Sequence, residues 1–282
     1  MTRFVEAGGT KVRVRESGDP AGDPIVLLHG IGRSLEDWSP QHELLLGTHR
    51  VISMDLLGFG LSEPPPGPMT LSRLAAGVYE TLDALDVQRP AHVFGNSLGG
   101  AVALSMQATH PERVSGVVLA APAGFGQEVV LDLRLLAIPG LGHVLLRHVS
   151  RAAARRTERA LYRDEAFVTE ERIEHALRLA SQPGRTELFL DVLRELGTVR
   201  GIRPGWRSAL LADVARNPRP TLIVWGDRDR ILPAHHVSAA RAALPHAQSH
   251  VFADTGHLPQ VERAAEFAEL VGPFLEARTP GH

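Results

Sequence analysis

The sequence predicts an α/β fold built on a mostly parallel β-sheet. Short apolar runs alternate with longer amphipathic segments in the first and last parts of the chain, and this alternation is typical of parallel strands that are joined by helices. Most of the apolar runs are unbroken, as is expected of strands that helices cover on both faces. The length of 282 residues allows one large α/β domain with an insertion, or two small domains.

The predicted strands follow the order of the apolar runs. The chain begins with Phe4–Ala7 and Lys11–Glu16, which are separated by Gly8-Gly9 and therefore predict an antiparallel hairpin. Six more strands are predicted further along, at Ile25–Leu28, Arg50–Met54, Ala91–Phe94, Val114–Ala120, Thr221–Trp225 and Ser249–Phe252. The sheet is therefore expected to be eight-stranded, with helices on its faces.

Helices are predicted between and after these strands, and a long insertion interrupts the pattern. The core helices are expected near Thr70–Leu85, Leu98–Thr109, His235–Leu244 and Pro259–Leu275. From residue 122 to residue 216 the chain shows amphipathic helical stretches and no convincing strand. We therefore expect a core formed by residues 1–121 and 217–282, and a helical segment formed by residues 122–216, which we call the insertion.

Composition and charge exclude several classes of protein. Thirty basic and 32 acidic residues leave a formal net charge of −2, which argues against a nucleic-acid partner. The absence of cysteine excludes disulfides, thiolate zinc sites and a cysteine nucleophile. No apolar run reaches the roughly 18 residues of a membrane span, and the first residues lack the apolar stretch of a signal peptide. A cytoplasmic protein that does not enter a membrane is therefore expected.

The histidines do not predict a metal site. The fourteen histidines show no metal-ligand spacing. His235 and His236 are adjacent, and adjacent side chains are expected to point in different directions. We therefore expect no metal. The sequence carries no signal for an oligomeric state.

The pentapeptide Gly95-Asn96-Ser97-Leu98-Gly99 is a G-x-S-x-G pattern between a predicted strand and a predicted helix. A sharp turn of this kind crowds the backbone two residues before and after the serine, and glycine at both places lets the serine adopt a strained conformation. Ser97 is then at a helix N-terminus, where the helix dipole favours developing negative charge. The alternative is an ordinary glycine-rich turn, but the flanking strand and helix favour a nucleophile.

The tetrapeptide His29-Gly30-Ile31-Gly32 directly follows the third predicted strand. It therefore lies at the carboxyl edge of the sheet, where α/β proteins bind ligands. Backbone amides at such an edge can hold an oxyanion, and we expect the amides of Ile31 and Leu98 to do so. The alternative is a turn with a structural histidine. Residues expected to support the site are His29, Gly30, Gly32 and Asn96.

A base and an acid are expected after the two last strands. His257 follows the final predicted strand, and Asp227 and Asp229 follow the strand before it. A serine hydroxyl needs a base to remove its proton, and a histidine base needs a carboxylate to hold its tautomer. An isolated aspartate in a loop is usually a turn residue and an isolated histidine is usually structural. Their joint position after predicted strands favours the chemical role.

Together these motifs resemble the α/β-hydrolase fold superfamily, including its chain order of serine, acid and histidine. The run Asp55-Leu56-Leu57-Gly58-Phe59-Gly60-Leu61-Ser62 is similar to the family's D-x-x-G-x-G-x-S stretch, in which we expect Asp55 to order a loop. The family's acid is the aspartate of a G-x-x-D pattern four residues before a proline. This resemblance implies Asp229 as the acid, with Asp227 as the alternative. It also implies that the insertion is a cap over the site that shapes an acyl pocket.

The resemblance implies a serine hydrolase that requires no cofactor or metal. Dehalogenases and cap-bearing epoxide hydrolases use aspartate at the position of Ser97, so alkyl-enzyme chemistry is not expected. We expect hydrolysis of a carboxylic ester or lactone of a small, largely apolar substrate through an acyl-enzyme, with Ser97 as nucleophile, His257 as base and Asp229 as its partner.

Carbon–carbon bond hydrolysis is the main alternative. The elbow Gly95–Gly100 is similar to the G-N-S-M-G-G elbow of the meta-cleavage-product hydrolases, which cleave dienoic ketones. Those enzymes carry a tryptophan after the catalytic histidine, where this chain has Leu258. They also use a cap arginine for the substrate carboxylate, and His175, Arg178 and Arg185 all lie in the corresponding region. A non-hydrolytic lyase and a ligand-binding protein on the same fold are further alternatives.

Overall fold

One eight-stranded sheet organises the protein. In the computed structural model, which describes residues 1–45, 47 and 49–276, the strand order is β1-β2-β4-β3-β5-β6-β9-β10. The strands are β1 (Thr2–Ala7), β2 (Thr10–Gly18), β3 (Asp23–Leu28), β4 (His49–Met54), β5 (Ala91–Asn96), β6 (Val114–Ala120), β9 (Thr221–Gly226) and β10 (Gln248–Phe252). The pairs β1–β2 and β2–β4 are antiparallel, and all other pairs in this sheet are parallel.

The helices lie between the strands as the α/β pattern predicts. Around the sheet they are α1 (Ser39–Leu44), α2 (Leu71–Ala84), α3 (Leu98–Thr109), α10 (His236–Ala243), α11 (Pro259–Glu262) and α12 (Ala264–Glu276). Between β6 and β9 they are α4 (Leu131–Leu136), α5 (Leu141–Leu145), α6 (Arg151–Leu161), α7 (Glu170–Ala180), α8 (Arg185–Leu196) and α9 (Pro204–Arg216). In the described residues, no helix has both the length and the apolar character needed to cross a membrane.

The strand sequences alternate between two buried faces. Ile25 and Leu27 of β3 belong to a cluster with Trp38 and Phe267, on the side of α1 and α12. Their neighbours in β3 belong to the larger cluster on the opposite side, which includes residues of α2 and α3. Because successive side chains of a strand point to opposite faces, both must be apolar when helices cover both faces. This arrangement explains the unbroken apolar runs and confirms the predicted fold class.

Two secondary-structure predictions are corrected by the structure. The helix predicted over Pro259–Leu275 is divided into α11 and α12 at Arg263, whose backbone (φ −123°, ψ 44°) is not helical. Arg263 donates to the carbonyl of Ala253 at 3.1 Å and to the hydroxyl of Thr255 at 3.2 Å, and these contacts hold it against the loop after β10.

The insertion, predicted to lack strands, contains the two-residue strands β7 (Gly197–Thr198) and β8 (Gly201–Ile202). Strands this short leave no periodic pattern in a sequence. A backbone contact fixes the pair instead, since the amide of Ile202 donates to the carbonyl of Gln127 at 2.9 Å. The helices α4–α9 all lie within residues 122–216. The division of the chain into a core and a separate cap domain stays a prediction.

Candidate active site

Ser97 occupies a strained turn between β5 and α3. Its backbone has φ 54° and ψ −114°, a combination that side-chain-bearing residues rarely adopt. The turn is held by the amide of Ser97, which donates to the carbonyl of Ala120 at 3.0 Å, and by the amide of Ala123, which donates to the carbonyl of Ser97 at 3.0 Å. The serine therefore sits at the carboxyl edge of the sheet, on the first turn of α3.

The two glycines of the pentapeptide are required by close backbone contacts. A Cβ atom on Gly95 would overlap the carbonyl of Gly99 across the turn. A Cβ atom on Gly99 would overlap the carbonyl of Leu28 at the end of β3. Both obstacles are backbone atoms, one in α3 and one at the end of β3, and they cannot move aside without disturbing the helix or the sheet. The structure thus gives a steric reason for the G-x-S-x-G spacing around Ser97.

His257 and Asp229 lie together at the same edge. Nδ1 of His257 is 2.7 Å from Oδ2 of Asp229, and both side chains are buried. Oδ2 also accepts a hydrogen bond from the indole of Trp225 at 3.0 Å. Oδ1 accepts from the amides of Ile231 at 2.8 Å and Leu232 at 3.0 Å. These donors fix the orientation of the carboxylate, which can hold the imidazole in one tautomer.

Asp227, the alternative acid, has a different environment. Its side chain is 35% exposed, whereas that of Asp229 is 0% exposed. It accepts a hydrogen bond from the amide of Thr255 at 3.3 Å and lies 3.5 Å from the guanidinium of Arg228. In the described part of the chain, none of its hydrogen bonds involves His257. The geometry therefore favours Asp229 as the partner of the imidazole.

The amides of Ile31 and Leu98, predicted to hold an oxyanion, have no hydrogen-bond acceptor among the described residues. Leu98 is the first residue of α3, so its amide has no acceptor within the helix. Ile31 lies in the loop that follows β3. Neither amide donates to another group of the described residues. Free amides at the end of the strands are what an oxyanion hole requires.

His29 and Asn96 connect the loops that surround Ser97. His29 is fully buried; its Nδ1 lies 2.7 Å from the carbonyl of Gly30, and its Nε2 accepts from the amide of Leu56 at 3.0 Å. Burial lowers its pKa, so the neutral form is favoured. The amide of Asn96 donates to the carbonyls of Ala120 and His257, both at 3.0 Å. These two residues therefore hold neighbouring loops in register.

Asp55 orders the loop that follows β4, in the way expected from the sequence. It accepts hydrogen bonds from the amides of Leu35 at 2.8 Å and Leu61 at 2.7 Å. The guanidinium of Arg13 pairs with it at 2.6 Å and with Glu36 at 2.7 Å. Burial alone would raise the pKa of Glu36, but hydrogen bonds from His175, Arg13 and Ser34 hold it well below its usual range.

A buried ion pair joins the loop after β3, which contains Ile31, to the insertion. The sequence analysis did not predict this pair. Arg33, two residues after Ile31, pairs with Asp37 at 2.7 Å and with Glu158 of α6. The side chain of Glu158 is 0% exposed. Its partner lies 125 residues away, so no local pattern could have indicated the contact. The one hint in the sequence is Glu158 itself, an acidic residue in a helix that is otherwise rich in arginine.

The end of α6 also touches the loop that carries the histidine. The amide of His257 donates to the carbonyl of Leu161 at 2.7 Å. Glu262 accepts from the amides of Gly256 at 2.5 Å, Arg163 at 2.7 Å and Asp164 at 3.0 Å. Burial raises the pKa of Glu262, although these amides act in the opposite direction. The insertion is thus attached to the core directly beside the candidate base.

The three residues of the insertion that the sequence offered for a substrate carboxylate differ in their contacts. Nε2 of His175 lies 2.7 Å from the hydroxyl of Ser34 and 3.3 Å from Glu36. Arg178 is exposed and contacts Nδ1 of His175 at 2.6 Å. Arg185 is partly buried; its Nη2 donates to the carbonyl of Ser62 at 3.4 Å, and its buried Nε has no hydrogen-bond partner among the described residues. Arg185 is therefore a residue of this group with a buried donor free for a ligand.

One expectation about the histidines is wrong. His235 and His236 do not point apart, because their Nε2 atoms lie 3.5 Å and 2.9 Å from the carboxylate oxygens of Glu128. Consecutive side chains at a helix start can converge when a third residue from another segment lies between them. This cluster is outside the candidate active site.

Comparisons with known proteins found relatives that match most of the chain. A family model described as the α/β hydrolase fold matches residues 23–264. The chain is 32% identical over 283 residues to a 2-hydroxymuconate semialdehyde hydrolase of a Pseudomonas species, covering 97% of this chain and 93% of that protein. It is 31% identical over 275 residues to the dihydrolipoyllysine-residue acetyltransferase component of an acetoin cleaving system from Cupriavidus necator, covering 97% of this chain and 68% of that protein. A solved meta-cleavage product hydrolase from Pseudomonas fluorescens aligns with a TM-score of 0.81 at 26% identity, over 97% of both chains.

Proposed function

Because this chain belongs to the α/β-hydrolase fold family and is a hydrolase, we propose that it cleaves a carbon–carbon bond of a 2-hydroxy-6-oxo-dienoate by means of Ser97, His257 and Asp229. The observation that carries the proposal is the similarity, over nearly the full length of both chains, to a 2-hydroxymuconate semialdehyde hydrolase. The elbow Gly95–Gly100 supports the same choice. The ester or lactone hydrolysis expected from the sequence becomes the second candidate.

The proposed chemistry assigns one role to each of the three side chains. His257 removes the proton of Ser97 as its oxygen attacks the ketone carbonyl, while Asp229 stays ionised and stabilises the imidazolium. The amides of Ile31 and Leu98 hold the oxyanion of the tetrahedral intermediate. Before the attack the dienol ketonises, which moves the proton of its 2-hydroxyl to the carbon next to the ketone. Collapse of the tetrahedral intermediate then breaks the carbon–carbon bond with a delocalised dienolate as the leaving group, which takes the proton from the imidazolium of His257. A water molecule then hydrolyses the acyl-enzyme.

A dienoate substrate makes a demand that a simple ester does not make. Its carboxylate must be paired with a cation or hydrogen-bond donors inside the closed site, because an unpaired buried carboxylate is costly. Arg185 is the candidate for that contact. Arg185 is the first residue of α8. The same helix places Phe189 against Gly32, in the loop after β3, and Leu188 against Gly58. The guanidinium therefore belongs to the part of the insertion that covers the site.

One observation favours the second candidate. Leu258, next to the candidate base, is completely buried in a cluster with Leu161, Tyr162 and Val261. It occupies the place where the meta-cleavage-product hydrolases resembled by the sequence have a tryptophan. A substrate held chiefly by an aromatic contact at this point would bind less well here. An ester or lactone needs only the acyl cavity and the oxyanion hole.

The substrate experiment compares kcat/KM for a yellow 2-hydroxy-6-oxo-dienoate and for p-nitrophenyl butyrate, both followed by absorbance. The proposal expects the dienoate to be preferred by about 100-fold or more, which corresponds to about 2.7 kcal/mol of transition-state stabilisation. Preference for the ester by a similar factor would replace the proposal with the second candidate.

The Arg185 assignment has its own test, with Arg178 as the matched control. Arg185→Gln is expected to lower kcat/KM for the dienoate by about 100-fold and to leave ester turnover nearly unchanged, because only the dienoate carries the carboxylate. Arg178→Gln, on the exposed side of α7, is expected to change neither rate more than about twofold. Equal losses for both substrates would show that Arg185 supports the fold of the insertion instead.

The remaining expectations about partners and location have a narrower basis. The hydrolase relatives support a small-molecule substrate. The absence of a nucleic-acid partner and the cytoplasmic location stay predictions from composition and from the first residues of the chain.

A further inference from the structure

A cluster of metal-ligand side chains lies on the surface behind the candidate acid. Glu128, His235 and His236 each offer one ligand atom, and these three atoms lie within 4.8 Å of one another. His236 is buried, whereas Glu128 and His235 are exposed. One side of the group is thus fixed in the protein, and the other side can adjust to an incoming ion.

The backbone on both sides of Glu128 is fixed. The amide of Ile202 donates to the carbonyl of Gln127, and the amide of Val130 donates to the carbonyl of Ile231, both at 2.9 Å. Gly126 leaves room for the approach of the imidazole, because a Cβ atom at that position would overlap the ring of His236. The carboxylate is therefore presented to the two histidines by a segment that cannot easily move away.

The ligand atoms already converge. The Nε2 atoms of His235 and His236 lie 3.5 Å and 2.9 Å from the two carboxylate oxygens of Glu128. Imidazole nitrogens and carboxylate oxygens are common protein ligands of divalent metals.

We propose that Glu128, His235 and His236 form a binding site for a divalent transition-metal ion such as Zn²⁺. Two imidazole nitrogens and one carboxylate oxygen are a ligand set for zinc and its neighbours, and they disfavour Mg²⁺ and Ca²⁺, which prefer oxygen ligands. Three protein ligands leave the remaining coordination positions to water on the exposed side.

A bound ion at this place joins three parts of the molecule. Glu128 lies at the start of the insertion, His235 and His236 begin α10, and the ring of His236 meets that of Trp225 edge to face with centroids 6.1 Å apart. The indole of Trp225 is the donor to Asp229. The metal therefore clamps the beginning of the insertion to the core element that supports the candidate acid.

The small number of protein ligands limits the affinity. We expect binding that is measurable at micromolar protein concentration, without the affinity of a closed four-ligand zinc site.

Binding is tested by calorimetric titration of the whole protein with Zn²⁺ in a buffer that does not chelate metals. The expected result is one equivalent of Zn²⁺, with affinity lowered about tenfold or more in Glu128→Gln and in His235→Ala, since each variant removes one of three ligands. Mg²⁺ is expected to give no comparable heat. His235 is exposed, so that variant also tests the site if Glu128→Gln fails to fold.

The matched control is His110→Ala. His110 also faces a carboxylate, with Nδ1 3.2 Å from Glu112, and both side chains are exposed. Among the described residues, His110 and Glu112 do not belong to any group of three side chains that could bind a metal. Its replacement is expected to leave Zn²⁺ affinity unchanged.

Thermal unfolding gives a second readout of the proposed clamp. At a free Zn²⁺ concentration of about 100 times Kd, the midpoint is expected to rise by about 5 °C or more in the wild-type protein. His235→Ala is expected to lose most of that rise, and His110→Ala is expected to keep it. Zn²⁺ binding that persists unchanged in both Glu128→Gln and His235→Ala, or no binding in the wild-type protein, would overturn the proposal.

Discussion

The core and the insertion are held in place by different kinds of interaction. The strands of the core bury apolar side chains on both faces, and the loops around Ser97 are fixed by backbone contacts and by Asn96. The insertion packs on the core through apolar side chains such as Leu188 as well, but beside the site it adds the buried ion pair Arg33–Glu158 and the contact of His175 with Glu36. The difference teaches that the reactive geometry belongs to an apolar framework, whereas the cover over it combines apolar packing with buried polar contacts.

Replacement of the candidate nucleophile should give the largest effect, and it should affect turnover without affecting how the insertion is held. Ser97→Ala is expected to lower kcat by about 10⁴-fold or more, because no other side chain can form the acyl-enzyme. The cover and the fold should be unaffected, since Ser97 contributes its hydroxyl to neither. Turnover and the thermal midpoint, measured on the same sample, check both statements. Activity close to that of the wild-type protein would remove Ser97 from the mechanism.

Replacement of the candidate acid should give the second largest loss of kcat. Asp229→Asn is expected to lower kcat by about 10³-fold or more, because the amide no longer holds His257 in the reactive tautomer. Asp227→Asn is expected to cost less than about tenfold, since that side chain is partly exposed and binds the amide of Thr255. Steady-state rates of the two variants decide the assignment, and the reverse ranking would make Asp227 the acid.

Loss of the Arg33–Glu158 pair, which joins the core to the insertion, should lower the stability of the protein. Glu158→Gln is expected to lower the free energy of unfolding by about 1–3 kcal/mol, because Arg33 stays buried and keeps only Asp37 as a charged partner. Glu170→Gln, which loses exposed pairs with Arg151 and Arg155, is the control and should cost less than about 0.5 kcal/mol. Urea unfolding measures both. Equal effects would mean that the buried pair contributes no more than a surface pair.

Acid should weaken the core through a buried histidine. Burial lowers the pKa of His42 from 6.5 to about 3, while its ring nitrogens contact the hydroxyls of Ser17 and Ser53. Between these two values the unfolded chain takes up a proton that the folded chain does not, so stability falls as pH falls. The contribution is at most about 1.4 kcal/mol per pH unit.

The measurement for this prediction is the free energy of unfolding from pH 7 to pH 4 in the wild-type protein and in His42→Gln. The variant cannot take up that proton, so its stability is expected to fall less steeply with acid. Parallel curves would show that His42 does not contribute to the acid sensitivity.

Much of the core was predictable because its determinants are local. Most strands of the sheet were recognised from unbroken apolar runs, and the first two from apolar residues on either side of Gly8-Gly9; the observed bounds differ by only a few residues. The elbow was recognised because its glycines are demanded by contacts that always accompany this turn. The chain order of Ser97, Asp229 and His257 then pointed to residues that the fold brings to one edge of the sheet.

The rest could not be predicted, because it depends on contacts between distant segments. Glu128 lies 108 residues from His236, and no spacing rule connects them. The contact between Arg33 and Glu158 crosses 125 residues in the same way. The break between α11 and α12 depends on where the side chain of Arg263 finds its acceptors. In each case the side chain's partner is chosen by the packed structure, so its identity leaves no trace in the neighbouring residues.

The hydrogen bond from the amide of His257 to the carbonyl of Leu161 has a consequence for how covers of this type can be exchanged. Both atoms belong to the backbone, so the bond constrains position and direction but not residue type. Gly256 must remain small, because a Cβ atom there would crowd the same carbonyl. A chimera that carries a different cover therefore needs a helix whose last turn presents one carbonyl at this point, whatever its sequence. We expect such a replacement to change the contacts that the insertion makes without displacing the loop that carries His257.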